Sequence, residues 1–134
     1  MTSVIVGFIP TPQGQAALER AIDEARLRSA RLVVVHSMMG GGHESEAEYF
    51  DAGEAVDEVE DRLSKMALDF EVRRYVRGRT PSEDLIQAAK EFGGQLIVIG
   101  NRRRSSVGKI ILGSNALEIH HDAPCPVLCV NAQE

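Results

Sequence analysis

The stretch VIGNRRRSSVGKIILGSN, residues 98–115, holds the densest set of groups in the chain that could do chemistry. An apolar run ends at Gly100, arginines occupy 102–104, and Gly113-Ser114 opens a segment that reads as a helix. Strand, glycine, basic loop, then glycine and serine at a helix start is an arrangement that can hold phosphate. Glycine lets backbone come close to a ligand, and a helix N-terminus offers free N–H donors and a partial positive charge. Guanidinium groups match phosphate oxygens in pairs, and Ser105, Ser106 and Lys109 add donors. The same residues have a plainer reading. Gly100 is then a turn, Ser114 a helix cap, and the arginine run a solvated loop, because three adjacent side chains cannot all point into one site.

Other reactive side chains carry less. His120-His121-Asp122 invites a metal reading, but adjacent helical residues diverge by about 100°, so a role at a positive-favouring helix C-terminus fits better. His36 closes a buried strand and is expected as a core histidine with a hydrogen-bond partner; His43 lies in a glycine-rich stretch and says nothing specific. No Ser-His-Asp or Cys-His order stands out, nor an acid–base pair of carboxylates. Cys125 and Cys129, read on one strand, would sit about 13 Å apart, beyond disulfide reach. That spacing fits a reducing compartment.

The elements that must position these groups follow from hydrophobic periodicity. Strands are expected at SVIVGF, RLVVVHSM, FEVRRYVRG, QLIVIG and CPVLCV. Between them, PTPQGQ reads as a loop, and Ala17, Leu18, Ala21, Ile22 and Ala25 recur at helical spacing. MGGGHESEAEYFDAG reads as a loose acidic loop, followed by a helix with Val56, Val59, Leu63 and Met66 on one face. Thr80, Pro81 and Glu83 spell a capping box for a third helix, which Gly93-Gly94 should stop. A fourth helix runs to about His121. Strands alternating with helices predict a parallel sheet covered on both faces, and Leu32–Val35, a continuous apolar run, predicts burial on both sides. Ligands in such sheets sit at the carboxyl ends of the strands where strand order reverses. Strands one and four, ending near Gly7 and Gly100, are the natural pair.

With 134 residues, a single domain over 1–134 can bury a real core. No apolar run approaches the roughly 18 residues of a membrane span, and the first residues read as a strand rather than a signal peptide. A net charge of −5 argues against general nucleic-acid binding. These features lead to an expectation of a cytoplasmic protein with no membrane and no nucleic-acid partner.

Gly100, two residues, Arg103, nine residues and then Gly113-Ser114 resembles the G-x2-G-x9-G-[S/T] signature of the universal stress protein family, with arginine in place of one glycine. QLIVIGNRRR resembles the family's strand and loop, ILGSNALEIHHDAPCPVLCV its final helix and strand, VIVGF its first strand and LVVVHS its second. The resemblance covers essentially the whole chain. It implies a three-layer α/β domain of the adenine nucleotide alpha-hydrolase-like type, with four helices and a five-stranded parallel sheet in order 3-2-1-4-5. It also implies a homodimer and a binder of ATP or another adenine nucleotide; with the residues above, the expectation is regulatory binding, at most a weak ATPase, and no metal.

Carried over by position, ribose and phosphate contacts fall on Gly100, Asn101, Gly113, Ser114 and Asn115, with Gly7 and Ser37 lining the base pocket. Arg103 stands where the family has its second loop glycine and could grip phosphate directly. Ile9 stands where the family carries an aspartate beside the adenine. A phosphorylated ligand without a strict adenine requirement would suit both departures; the alternative is an interaction or dimerisation module that binds no nucleotide. CPVLCV, apolar and near the C-terminus, is expected to be an edge strand that pairs with its own copy.

Overall fold

A computed structural model of the chain describes residues 2–37, 46–75, 80–101 and 114–132, with backbone alone at 46–51 and 114–115. Its elements are β1 (Ser3–Gly7), α1 (Pro12–Arg28), β2 (Arg31–Ser37), α2 (Glu46–Ser64), β3 (Phe70–Tyr75), α3 (Pro81–Glu91), β4 (Gly94–Asn101), α4 (Ser114–Asp122) and β5 (Val127–Asn131). The five strands form one parallel sheet in order β3-β2-β1-β4-β5. This is the expected sheet order, reversing between β1 and β4.

Side chains alternate across the strands and build two cores. Val4, Val6, Leu32, Val34, Leu96 and Val98 face α1 and α2, where they meet Leu18, Ile22, Val56 and Leu63. Ile5, Val33, Val35, Ile97 and Ile99 face the other way, onto Leu85, Ala88, Ala89 and Ile119 of α3 and α4. The apolar run at 32–35 is therefore buried on both faces, and each such side chain stabilises the fold by roughly 1.5–3 kcal/mol.

Three boundaries differ from the sequence expectation. PTPQGQ is not a loop: α1 begins at Pro12, because Thr11 is an N-cap whose Oγ1 accepts from Gly14 N–H at 3.1 Å, with proline at the first helical position. The acidic stretch is helical from Glu46, so α2 takes in Gly53 and ends at Ser64, leaving Met66 beyond the helix but still packed on its core. Cys125 precedes β5 rather than lying on it. The capping box at α3 is as expected: Thr80 Oγ1 accepts from Glu83 N–H at 3.2 Å and Thr80 N–H donates to Glu83 Oε1 at 3.0 Å. Phe92 caps that helix, Gly93 takes φ 64°, and Gly94 already belongs to β4.

Candidate functional site

The chain leaves β1 at Gly7 and crosses the sheet's carboxyl edge through Phe8, Ile9 and Pro10 before α1 begins. Four backbone groups hold this short lip and its junction with α1. Phe8 N–H donates to the Val35 carbonyl at 2.9 Å, and Thr11 N–H donates to the Ile9 carbonyl at 2.8 Å. The Phe8 carbonyl accepts from His36 Nδ1 at 2.9 Å. Gly14 lies so close under the lip that a Cβ there would overlap the Ile9 backbone. The first turn of α1 also presses on β4, where a Cβ at Gly100 would overlap the Gln13 carbonyl.

Behind the lip lies a cavity of about 190 Å³ at the carboxyl ends of β1, β2 and β4. Gly7, Ser37 and Gly100 line it from the strands, and Leu85, Ala116 and Ile119 wall it from α3 and α4. Phe8, Ile9, Gln13 and Gly14 close it from the lip and α1. It is the crevice expected where strand order reverses. A Cβ at Gly7 would come within 3.0 Å of Leu85 Cδ1, so the missing side chain at Gly7 lets α3 settle against β1.

Three of the residues singled out in the sequence, Gly7, Ser37 and Gly100, thus share one cavity. Gly100 is not a turn, however. It lies inside β4, opposite Val130 of β5, and its missing side chain admits the backbone of α1. Asn101 is buried, 3% exposed, and its Nδ2 donates to Asn131 Oδ1 at 3.0 Å. Its amide stitches β4 to β5 and does not line the cavity. Ser114 and Asn115 form the start of α4, and the following residue, Ala116, lines the cavity wall. Arg103 and Gly113 lie outside the described residues. Ile9, at the position of the missing aspartate, lines the cavity and is 44% exposed.

His36 is buried and does not line the cavity. Its Nδ1–H holds the Phe8 carbonyl, while its Nε2 has no hydrogen-bond partner among the described residues. The expected partnered core histidine is therefore half satisfied, and its role is to fix the lip. His121 Nδ1 sits 2.7 Å from Asp122 Oδ1, and this hydrogen bond to the carboxylate raises the His121 pKa. Burial pushes both thiols up, which keeps Cys125 and Cys129 protonated and poorly nucleophilic. Among the described residues no group of three histidine, cysteine or carboxylate side chains could hold a metal, and no helix is long and apolar enough to cross a membrane.

Sequence reasoning missed Gln13 and Gly14, and the apolar walls Val35, Leu85, Ile99 and Ile119. A signal existed for Gly14: a glycine at the start of a helix capped by Thr11-Pro12 costs helix stability and calls for a packing reason. The apolar walls carry no such signal, since they read as ordinary core.

The chain is similar across its length to known proteins. A universal stress protein from Mycolicibacterium smegmatis is 37% identical over 127 residues, covering 95% of each chain. The solved structure of a universal stress protein from Archaeoglobus fulgidus superposes with a TM-score of 0.78 at 34% identity, covering 96% of this chain and 97% of that one. A structure of the Archaeoglobus fulgidus universal stress protein in complex with dAMP superposes at 0.75, with 29% identity and the same coverage. The universal stress protein family model matches residues 1–131, and the chain belongs to that family.

Proposed function

We propose that this protein is a regulatory binder of an adenine nucleotide or another phosphorylated small molecule. The base enters the cavity behind the lip, and the phosphates lie on the segment from Gly100 to Asn115. The observation that carries this reading is the convergence of Gly7, Ser37 and Gly100 on one cavity beside the start of α4. A related protein of the same fold was solved with dAMP, which supports it. In this reading Gly113, Ser114 and Asn115 offer backbone donors and a hydroxyl to phosphate, and Arg103 grips it as a charged fork. Binding rather than catalysis is favoured because the described lining residues include no acid, base or cysteine; at most a weak ATPase would remain. The reading includes a cytoplasmic protein that works as a homodimer through β5.

The test is direct. ATP, ADP or AMP should raise the melting temperature, since a ligand selective for the native state stabilises it. Gly113→Val should abolish the shift, and Arg103→Ala should weaken binding by roughly 1.5–3 kcal/mol, the scale of a charged hydrogen bond. Calorimetry with no heat at millimolar nucleotide would overturn the reading. It would favour an interaction module that binds no nucleotide, which the Ile9 and Arg103 departures from the family pattern support.

A further inference from the structure

β1 and β2 do not end together. β1 pairs with β2 as far as Gly7 opposite Val35, while β2 runs on to Ser37, opposite Tyr75 of β3. Phe8 and Ile9 therefore lie beyond the register of the β1–β2 pair, at the mouth of the cavity. β2 still holds them at two points. Phe8 N–H donates to the Val35 carbonyl at 2.9 Å, and His36 Nδ1 lies 2.9 Å from the Phe8 carbonyl. A carbonyl only accepts, so Nδ1 carries the proton. Side chains alternate along β2: Leu32 and Val34 face α1 and α2, and His36 follows them, while Val35 and Ser37 face the cavity. His36 thus grips the lip from the side away from the cavity. It is 4% exposed, and its Nε2 is buried with no hydrogen-bond partner. A leucine would fill such a place without burying an unpaired nitrogen. What leucine lacks is the donor for the Phe8 carbonyl.

From this clamp we infer that His36 is a positioning residue: it holds the Phe8–Ile9 peptide in place and so sets how tightly the cavity grips the ring of a nucleotide, without touching the ligand. The inference rests on the nucleotide-binding reading above. Phe8 and Ile9 both line the cavity. The Phe8 carbonyl belongs to the peptide that leads into Ile9, so turning that peptide moves the Ile9 side chain. α1 fixes the far end of the lip, through Thr11 N–H on the Ile9 carbonyl and through Gly14 close beneath. His36 fixes the near end. Without Nδ1–H the carbonyl of Phe8, a residue 2% exposed, loses its donor, and the peptide turns to find another. A lip in place for only part of the time lowers the apparent affinity by that fraction. Phosphates held on the segment from Gly100 to Asn115 would not feel the change.

The experiment compares ATP with inorganic tripolyphosphate by calorimetry on the intact chain, at a temperature where circular dichroism shows each variant folded. Tripolyphosphate keeps the phosphates and lacks the base and sugar. Wild type should bind ATP more tightly. His36→Leu should weaken ATP by about tenfold, as for a lip in place about a tenth of the time, and leave tripolyphosphate within about twofold. His36→Asn, whose side-chain amide can donate in place of Nδ1–H, should keep ATP within about threefold of wild type. Folded His36→Leu that binds ATP like wild type makes His36 a core residue only and overturns the inference, with nucleotide binding left standing. Equal losses for ATP and tripolyphosphate overturn it as well, because the effect is then not confined to the ring. Wild-type protein that binds neither overturns both the inference and the reading beneath it. Where His36→Leu does not fold, hydrogen exchange on wild type decides: saturating ATP should slow exchange at the Phe8 and Thr11 amides, and rates that ATP leaves unchanged overturn the inference.

Discussion

Gly100 of β4 and Gln13 of α1 meet backbone to backbone, and a Cβ at 100 would overlap the Gln13 carbonyl. The obstacle is main chain within a capped first turn, so no rotamer change relieves it. Gly100→Ala should therefore push α1 off the sheet and destabilise the fold by roughly 1–3 kcal/mol, the usual cost of overpacking. Urea unfolding should show a lower midpoint with an unchanged slope. A variant as stable as wild type would mean that the helix end yields freely.

Gly53 should behave in the opposite way. It lies inside α2, and a Cβ there would meet nothing within 4 Å. Glycine inside a helix gives up backbone entropy that alanine does not, so Gly53→Ala should stabilise the protein by about 0.5–1 kcal/mol. A loss of stability on urea unfolding would show that this turn of α2 is not helical in solution.

These two glycines show where the sequence is legible and where it is not. Strand positions and the α3 capping box could be read because each rests on a local pattern, apolar runs such as 32–35 or Thr80-Pro81 followed by Glu83, whereas the sheet order came only from the family resemblance. Gly53 and Gly14 look like loop punctuation in the chain, yet both lie in helices, one open to solvent and one pressed under Ile9. Only the Thr11-Pro12 cap just before Gly14 hints at the difference. Gly100 reads as a turn before the arginines, but its reason is a helix more than 80 residues earlier in the chain. The cavity shows the same limit: Ile99 and Leu85 are indistinguishable from core until α3 is laid on the sheet. Asn101 falls within the motif, but its side chain turns to Asn131, a partner that only the pairing of β4 and β5 reveals.

Arg62 Nη2 donates to Glu19 Oε1 at 2.8 Å across the α1–α2 interface, and this hydrogen bond holds the Glu19 carboxyl below its ordinary pKa. A depressed folded-state pKa adds stability above the unfolded value, which is lost as pH falls through the folded one. Both side chains are nearly half exposed, so solvent screens the pair and it contributes only about 0.2–1 kcal/mol. Arg62→Ala should cost that much at pH 7. The difference from wild type should shrink once pH drops below the usual glutamate value of about 4.3. A difference that stayed constant into strong acid would assign the loss to packing of the arginine stem.

The last prediction concerns the sheet's two edges, which are unlike. β3 carries Glu71, Arg73 and Arg74, and Arg74 pairs with Asp57 of α2 at 2.7 Å. Charges of this kind discourage further pairing. β5 carries no charged side chain from Val127 to Asn131, and Val127–Val130 are only half buried. Such an edge invites a two-fold copy of itself. The pairing with β4 decides which backbone groups are free. Ile97 N–H donates to the Pro126 carbonyl, with Ile97 opposite Val127. In a parallel ladder this turns the N–H of Leu128 toward β4 and the N–H of Cys129 outward. Leu128→Pro would therefore break the sheet itself and says little about assembly. Cys129→Pro removes an outward donor and leaves the β4 ladder intact. Light scattering at micromolar concentration should find dimers for wild type and folded monomers for Cys129→Pro. Wild-type monomers, or a proline variant that remains dimeric, would take the interface away from β5.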